Sequence, residues 1–339
     1  MNVEILKDVF ENASNEEGLN KLLHVIEGQH QLYLKDNTSE LRDSKWFNNL
    51  RQTDKDIIGD SIIRTLQILP SSTPDVTISE SKTQNVFSLK EAYYYLKQPF
   101  VILLENSYND SHFLNSLLRN FPKQGEEISA HKKERWVQYR MGGGTTIPDV
   151  IKSEIDSFSQ NIFSKEKHKY LRYFVLMDSD KKYPDMELEP QKVNLIEFLK
   201  EKEIPYHILE KREMENYLPD EALSEINDNK DFIEAYLRLK PVQKDYFDLQ
   251  KGFADKNFDQ LRPDEIKVFF DDVSEEGKKI FRKKNLKKIN KSQTENFKSE
   301  FPKLFLHKKV NKATLLKRTS HQKNPEELRE ILKKISMLL

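Results

Sequence analysis

The chain has 339 residues, and its 56 Lys and Arg residues balance its 56 Asp and Glu residues, so the whole chain carries no net charge. It has no cysteine, which excludes disulfides, thiol catalysis and cysteine-based zinc sites. No apolar run approaches the roughly 20 residues of a membrane span, and no signal peptide is recognisable at the start of the sequence. We therefore expect a cytoplasmic protein in which carboxylates would hold any metal.

Residues 1–95 are predicted to form a helical N-terminal region. Ser14 and Glu17 have the spacing of a capping box, and apolar residues at one-face spacing follow them. A second amphipathic segment comes later, and a turn-rich stretch at residues 70–75 separates it from a helix that is expected to begin near Ser88. None of these segments carries a chemical motif, so we expect them to serve packing or partner binding.

Residues 96–240 contain four short apolar runs, which are typical of buried parallel strands. Strands and helices alternate with connections short enough for right-handed crossovers. We therefore predict an α/β domain with a mainly parallel four-stranded sheet flanked by helices. The predicted strands are residues 100–104, 135–139, 173–177 and 205–209.

Acidic residues follow three of these predicted strands. Glu105 ends the first strand, Asp178 and Asp180 follow the third, and Glu213 and Glu215 follow the fourth. Strand alternation would place the two aspartates on the same side, and open α/β sheets bind ligands at this edge. Carboxylates held together repel one another, and a hard divalent cation relieves that repulsion. A single solvated Asp-x-Asp loop would mean little, but the convergence of three strands predicts a metal site.

The second predicted strand leads into a glycine turn at residues 142–144, and Pro148 and Asp149 suit the first turn of the helix that follows. Backbone without Cβ atoms can approach a phosphate closely. A tight strand-to-helix turn explains the glycines equally well. No Gly-Lys-Ser/Thr sequence follows, so this is not a Walker loop.

Residues 241–339 are predicted to be a basic, helical C-terminal region. Between residues 278 and 291 the chain has eight lysines and arginines and no acid. Lysines four residues apart share a helix face, and phosphates of a nucleic acid would neutralise their repulsion. A solvated basic surface is the alternative. The residues predicted to contact nucleic acid are Lys279, Lys283, Lys284, Lys287 and Lys288.

The order of these motifs resembles the Toprim domain. A glutamate follows the first strand, glycines follow the second, Asp-x-Asp follows the third, and Lys-Arg-Glu-Met-Glu-Asn-Tyr-Leu at residues 211–218 follows the fourth. The chain looks most like the OLD-type Toprim nucleases and their stand-alone relatives in bacterial defence against phage. The resemblance covers residues 98–225. It departs from the family at Asn106, where a glycine is common, and at Asp110, which comes one residue later than usual.

The resemblance implies a nuclease that hydrolyses phosphodiester bonds in DNA or RNA with Mg²⁺ or Mn²⁺, two ions being expected. Lys211 would lie near the scissile phosphate. The metal-binding residues that it implies are Glu105, Asp110, Asp178, Asp180 and Glu213. The catalytic residues that it implies are Glu105, Asp178, Asp180, Lys211 and Glu215.

The expected partners are nucleic acid and a separate ATPase or sensor protein, because OLD-type proteins often carry an ATPase and this chain has no ATPase motif. No membrane partner is expected, and a homodimer stays open. Two other functions are compatible with parts of the sequence. One is a catalytically silent Toprim-like binding or regulatory module. The other is an Mn²⁺-dependent glycosyltransferase with an Asp-x-Asp motif, which would leave Glu105 and the basic region unexplained.

Overall fold

The computed structural model contains two four-stranded sheets, and the strands of both sheets pair in parallel. Their strand orders, β2-β1-β3-β4 and β6-β5-β7-β8, follow the same topology. In each sheet the first strand lies in the interior, and the chain first adds a strand on one side and then two on the other. The structure describes residues 1–34, 38–66, 73–81, 83, 86–158, 163–227, 229–254, 256–282 and 297–339.

The first sheet lies in the N-terminal region. Its strands are β1 (Asn2–Ile5), β2 (Gln31–Leu32), β3 (Val76–Ile78) and β4 (Val86–Phe87). The helices of this region are α1 (Lys7–Phe10), α2 (Glu16–Gln29), α3 (Thr38–Asp43), α4 (Lys45–Asn49), α5 (Gln52–Thr65) and α6 (Leu89–Leu96).

The N-terminal region is therefore not purely helical, and this part of the sequence-based prediction was wrong. The two predicted amphipathic helices exist as α2 and α5, but a parallel sheet lies beside them. Its strands have only two to four residues, whereas a typical strand has about five or six. Such short strands carry too few residues to show a period of two, so the sequence pattern gave no sign of them.

The second sheet is the one that the sequence predicted, and the predicted α/β architecture is confirmed. Its strands are β5 (Phe100–Leu104), β6 (Val137–Met141), β7 (Tyr173–Met177) and β8 (Tyr206–Ile208). The flanking helices are α7 (Ser107–Asn120), α8 (Pro122–Lys133), α9 (Ile147–Ser157) and α10 (Pro190–Glu201). All residues of the two central strands, β5 and β7, are buried, which is why both appear in the sequence as continuous apolar runs.

Alternate residues of the central strands enter two different cores. Val101 and Val175 face α9 and α10, together with Leu195 of the latter helix. Ile102 and Leu176 face the opposite way, into a larger core that includes α7, α8 and the C-terminal helices. Both faces of the sheet are thus covered, so its exposed polar residues lie at the strand ends.

The C-terminal part of the chain is helical, as predicted, and packs on the second sheet through the larger core. Its helices are α11 (Asp220–Leu223), α12 (Lys230–Leu237), α13 (Pro241–Tyr246), α14 (Asp264–Phe269), α15 (Glu275–Ile280), α16 (Phe297–Leu304), α17 (Lys312–Thr319) and α18 (Glu327–Ser336). Among the described residues, no helix combines the length and the apolar character that crossing a membrane requires.

Candidate active site at the carboxyl edge of the second sheet

The sheet topology places Glu105 and the Asp178–Asp180 loop next to each other. Strands β5 and β7 pair directly, with Leu103 opposite Val175, and both end at the same edge. The chain adds β6 on one side of this pair and β8 on the other, so a crevice opens between the two strand ends. This switch point is where open α/β sheets bind their ligands.

A lysine that the sequence analysis did not select lies between two of these acids. The ammonium nitrogen of Lys192 is 2.8 Å from Glu105 Oε1 and 2.8 Å from Asp180 Oδ2. Its side chain is only 10% exposed. Burial acts to lower the pKa of Lys192, but the two carboxylates outweigh burial and raise it. Lys192 is therefore a fixed positive charge that joins the ends of β5 and β7.

Lys192 belongs to the first turn of α10, two residues after Pro190. The N-terminus of a helix repels a cation, so a buried lysine there needs carboxylates nearby. The sequence signal that could have identified it is a lysine two residues after a proline that starts the helix following Asp-x-Asp.

The backbone of Asp180 turns its side chain toward Lys192. Asp180 has φ = 57°, in the left-handed region that aspartate tolerates better than most residues. Its amide donates to the carbonyl oxygen of Arg212 at 3.0 Å, and the hydroxyl of Ser179 donates to the carbonyl oxygen of Lys211 at 2.7 Å. The loops after β7 and β8 are thus tied together, and this holds the strained turn in place.

Asp178 lies in a concentration of negative charge. It is half-buried, and its Oδ1 accepts a hydrogen bond from the amide of Met214 at 3.1 Å. Burial and neighbouring carboxylates raise the pKa of Asp178 well above its ordinary value. The contributing carboxylates, in decreasing order, are Glu105, Asp110, Glu215 and Glu213. Asp178, Glu105, Asp110 and Glu213 therefore belong to one electrostatic cluster, and Asp180 joins it because its charge also raises the pKa of Glu213. We call these five residues, together with Glu215, the acidic cluster.

The remaining acids of the cluster differ in their surroundings. Burial, followed by the charge of Asp248, raises the pKa of Glu213 to about 8. The Oε2 atom of Glu213 is buried and has no hydrogen-bond partner among the described residues. Glu215 is buried and accepts a hydrogen bond from Gln250 at 3.4 Å. Asp110 lies on α7, where its Oδ2 accepts from the amide of Asn106 at 2.7 Å.

Lys211 is not brought to this edge. Its side chain is 1% exposed, and its ammonium donates to Asp245 Oδ1 at 2.7 Å and to the carbonyl oxygen of Arg318 at 2.8 Å. Burial lowers its pKa to about 7. The predicted contact of Lys211 with a scissile phosphate does not fit this placement. It is a structural residue that connects β8 to α13 and α17, and Lys192 is the lysine at the cleft.

Four of the five predicted nucleic-acid contacts, Lys283, Lys284, Lys287 and Lys288, lie outside the described residues. Lys279 is an exposed residue on α15, which ends at Ile280. Binding of nucleic acid by this stretch stays a prediction.

An open cleft of about 950 Å³ lies in front of Glu105, Asp180 and Lys192. The glycine turn after β6 forms part of its wall through Gly144, which has φ = 56°. A Cβ atom on Gly144 would lie 3.2 Å from Glu105 Oε2. The glycine is thus required both by the backbone conformation and by close approach to a cluster carboxylate.

The oxygen atoms of the acidic cluster are the donors that Mg²⁺ and Mn²⁺ prefer. The unpartnered Glu213 Oε2 and the raised pKa of Asp178 both indicate more negative charge than Lys192 neutralises. The donor chemistry therefore fits a divalent cation. In the arrangement described, however, no three Asp, Glu, His or Cys side chains within the described ranges converge closely enough to hold one. The ammonium of Lys192 lies between Glu105 and Asp180.

Comparison of the chain with protein-family models, with curated proteins and with solved structures gave no match. The resemblance to Toprim nucleases therefore stays a prediction from the order of motifs.

Proposed function

We propose that the chain is a divalent-metal-dependent nuclease whose active site is the acidic cluster. The observation that supports this most is the position of Asp178 at the switch point of a parallel sheet, where burial and the carboxylates of Glu105, Asp110, Glu215 and Glu213 raise its pKa. Repulsion between these carboxylates destabilises the metal-free fold, and such clusters occur most often at functional sites. The carboxyl edge of an α/β sheet is where ligands bind, so a cation beside an anionic substrate is the function that fits best.

Glu105, Asp178 and Asp180 would hold the cation, with Asp110 and Glu213 as the further proposed ligands. A bound Mg²⁺ or Mn²⁺ supplies Lewis acidity and lowers the pKa of a coordinated water. The chain's own residues would bind and position the phosphate. Lys192, once its carboxylate partners turn to the cation, has an ammonium at the cleft that can contact a phosphate oxygen. Gly144 leaves room for a phosphate backbone beside Glu105.

The resemblance to OLD-type nucleases supports a role in bacterial defence against phage, with an ATPase or sensor supplied by a separate protein. One observation favours the catalytically silent module instead. Lys192 already neutralises Glu105 and Asp180 at 2.8 Å each, as it would in a purely structural ion-pair cluster. The two functions differ in what the acids do, so they are separable by experiment.

The test is cleavage of plasmid DNA, single-stranded DNA and RNA by the purified chain, with Mg²⁺ or Mn²⁺ and with EDTA. We expect metal-dependent cleavage of at least one substrate and its loss in Glu105→Gln. The matched control is Glu187→Gln, an exposed glutamate beyond the Asp178–Asp180 loop, which should cut like the parent. Cleavage that persists in EDTA, or in Glu105→Gln at the parent rate, would show that the acidic cluster is not catalytic.

A further inference from the structure

A second pocket, of about 280 Å³, lies beside the acidic cluster, and we call it the basic pocket. Arg212 connects the two. Its Nη2 lies 2.9 Å from Asp248 Oδ2 in the pocket wall, and its Nε lies 3.3 Å from Glu213 Oε1 in the cluster. The cationic residues that line the basic pocket are Lys182, Arg212, Lys251, Lys256 and Arg262. Among the described residues that line the pocket, the carboxylate is Asp248, so cations outnumber acids there.

The charges of the basic pocket are only partly compensated. Lys182 lies 3.5 Å from a carboxylate oxygen of Glu189, and Arg262 lies 3.0 Å from one of Asp264. Lys251 and Lys256 are exposed and form no ion pair with any part of the chain that the structure describes. These two ammonium groups are therefore available to an anion from outside the chain.

A short loop places Lys251 at this position. The carboxylate of Asp248 accepts hydrogen bonds from the amides of Gln250 at 3.0 Å and Lys251 at 2.6 Å, which closes a tight turn. The side chain of Gln250 in turn donates to Glu215 of the acidic cluster. One turn thus contacts the cluster with one residue and lines the basic pocket with the next.

The same loop also pairs with Arg282. Gly252 has φ = 50°, and a Cβ atom there would lie 2.3 Å from the carbonyl oxygen of Phe281. This close approach allows an antiparallel bridge between Gly252 and Arg282. Arg282, the last of the described residues before position 297, therefore lies next to Gly252, which lines the basic pocket.

We propose that the basic pocket binds the phosphodiester backbone of a nucleic acid that leads into the acidic cluster. This inference rests on the proposed nuclease function, because it assigns that site a path for its substrate. An acidic cluster repels a polyanion, so a nuclease of this kind needs cations immediately beside its carboxylates. Contacts to phosphates position the strand without reading its sequence.

The test compares two double charge reversals that change the net charge equally. Lys251→Glu with Lys256→Glu removes the two uncompensated cations of the pocket. Lys123→Glu with Lys333→Glu is the control, since both lysines are exposed on α8 and α18, form no described ion pair and line neither cleft nor basic pocket. The probes are fluorescently labelled duplex DNA, single-stranded DNA and single-stranded RNA. Binding is measured in EDTA, between about 50 and 200 mM salt.

We expect the pocket variant to bind its preferred probe at least about tenfold more weakly than the parent, with a salt slope lower by about 2. The control should stay within about twofold of the parent. Equal losses in both variants, or no loss in the pocket variant, would overturn the inference.

Cleavage by the parent, measured on the same probes with Mn²⁺, separates this inference from the proposed function. A parent that binds through the pocket but does not cut overturns the nuclease proposal and supports the pocket. A parent that cuts while the pocket variant binds normally overturns the pocket alone. If the parent binds none of the three probes, both proposals fail.

Discussion

Two buried lysines of this molecule are expected to behave differently when their charge is removed. Lys211 is enclosed with Asp245, so Lys211→Met leaves a buried carboxylate with less compensation and should lower the free energy of unfolding by about 3 kcal/mol. Lys192→Met acts at the wall of an open cleft, where water reaches Asp180, and should cost only about 1 kcal/mol. Urea unfolding of the two variants measures both values. A larger loss for Lys192→Met than for Lys211→Met would contradict the structural role of Lys211.

Lys192→Met should nevertheless reduce cleavage more than its small effect on stability suggests. Its ammonium is the cation at the cleft, so the variant should still bind Mn²⁺ but cut more slowly, by about 100-fold. Rates with saturating Mn²⁺ test this, and Lys200→Met, on the same helix, is the control. Cleavage at the parent rate would remove Lys192 from the mechanism.

Asp178 should make the metal-free protein less stable as the pH rises. Its pKa in the folded protein is raised above the value of about 4 in an unfolded chain. The folded state therefore holds a proton that the unfolded state has lost, and stability falls as the pH increases above about 4. Asp178→Asn keeps an acceptor for the Met214 amide and removes this dependence. In EDTA at pH 8, the free energy of unfolding of this variant should exceed that of the parent by about 1 kcal/mol.

The comparison for that prediction is Asp185→Asn, an exposed aspartate in the loop after β7. It should follow the pH dependence of the parent. If Asp178→Asn is less stable than the parent at pH 8 and the difference does not shrink toward pH 4, then Asp178 is not held among like charges.

At the scale of secondary-structure elements, the turn between β6 and α9 is the connection that most directly limits the site. Gly144→Ala places a methyl group 3.2 Å from Glu105 Oε2 on a backbone with positive φ, so it should cost about 1 to 2 kcal/mol and slow cleavage by moving Glu105. Gly59→Ala, inside α5 with open space around it, should instead stabilise the protein by about 0.5 to 1 kcal/mol. Urea unfolding gives both signs. Equal effects of the two substitutions would show that Gly144 is an ordinary turn residue.

The elements also show where sequence analysis succeeds and where it does not. Strands β5 and β7 were predicted at their observed bounds, because each is central, buried on both faces and therefore apolar throughout. Strand β6 begins and ends two residues later than predicted, and β8 is one residue shorter at each end, since the burial of these edge strands is partial. The expectation that alternation places Asp178 and Asp180 on one side does not apply, because Asp180 leaves the extended conformation.

At the scale of the whole molecule, a buried network joins the C-terminal helices to β8. Glu327, at the start of α18, accepts hydrogen bonds from His207 on β8 at 3.0 Å, from the amide of Glu210 at 2.7 Å, and from Tyr217 and Gln322. Burial acts to raise the pKa of Glu327, but these hydrogen bonds outweigh it and lower the pKa, so the carboxylate is ionised. Glu210 and Tyr217 flank the segment that carries Lys211 and Arg212, so the network helps to hold that segment in place.

Glu327→Ala should therefore lower the free energy of unfolding by about 3 to 5 kcal/mol, because it leaves several buried donors without an acceptor. Glu326→Ala, one residue earlier, removes an exposed carboxylate whose partner is Arg329 and should cost less than about 1 kcal/mol. Urea unfolding followed by tryptophan fluorescence measures both. Similar, small effects would mean that the C-terminal helices contribute little to the second sheet.

These long-range partners explain why the site was only partly predictable. Glu105 and Asp178 could be found because each directly follows a strand. Lys192 and Glu327 were not found, because their roles depend on partners 87 and 120 residues away along the chain. The resemblance to Toprim nucleases assigned Lys211 to the cleft, but the sequence does not reveal that its side chain turns into the C-terminal core.

The central claim is that the acidic cluster binds a divalent cation, and calorimetric titration of the metal-free protein with Mn²⁺ tests it most directly. The parent should bind Mn²⁺, and binding should be lost in Glu105→Gln and Asp178→Asn while Glu187→Gln binds like the parent. Both cluster variants are expected to stay folded, because each removes one of several mutually repelling carboxylates. If the parent takes up no Mn²⁺, or if the folded cluster variants bind it as the parent does, the acids form a structural cluster around Lys192 and the proposed nuclease site does not exist.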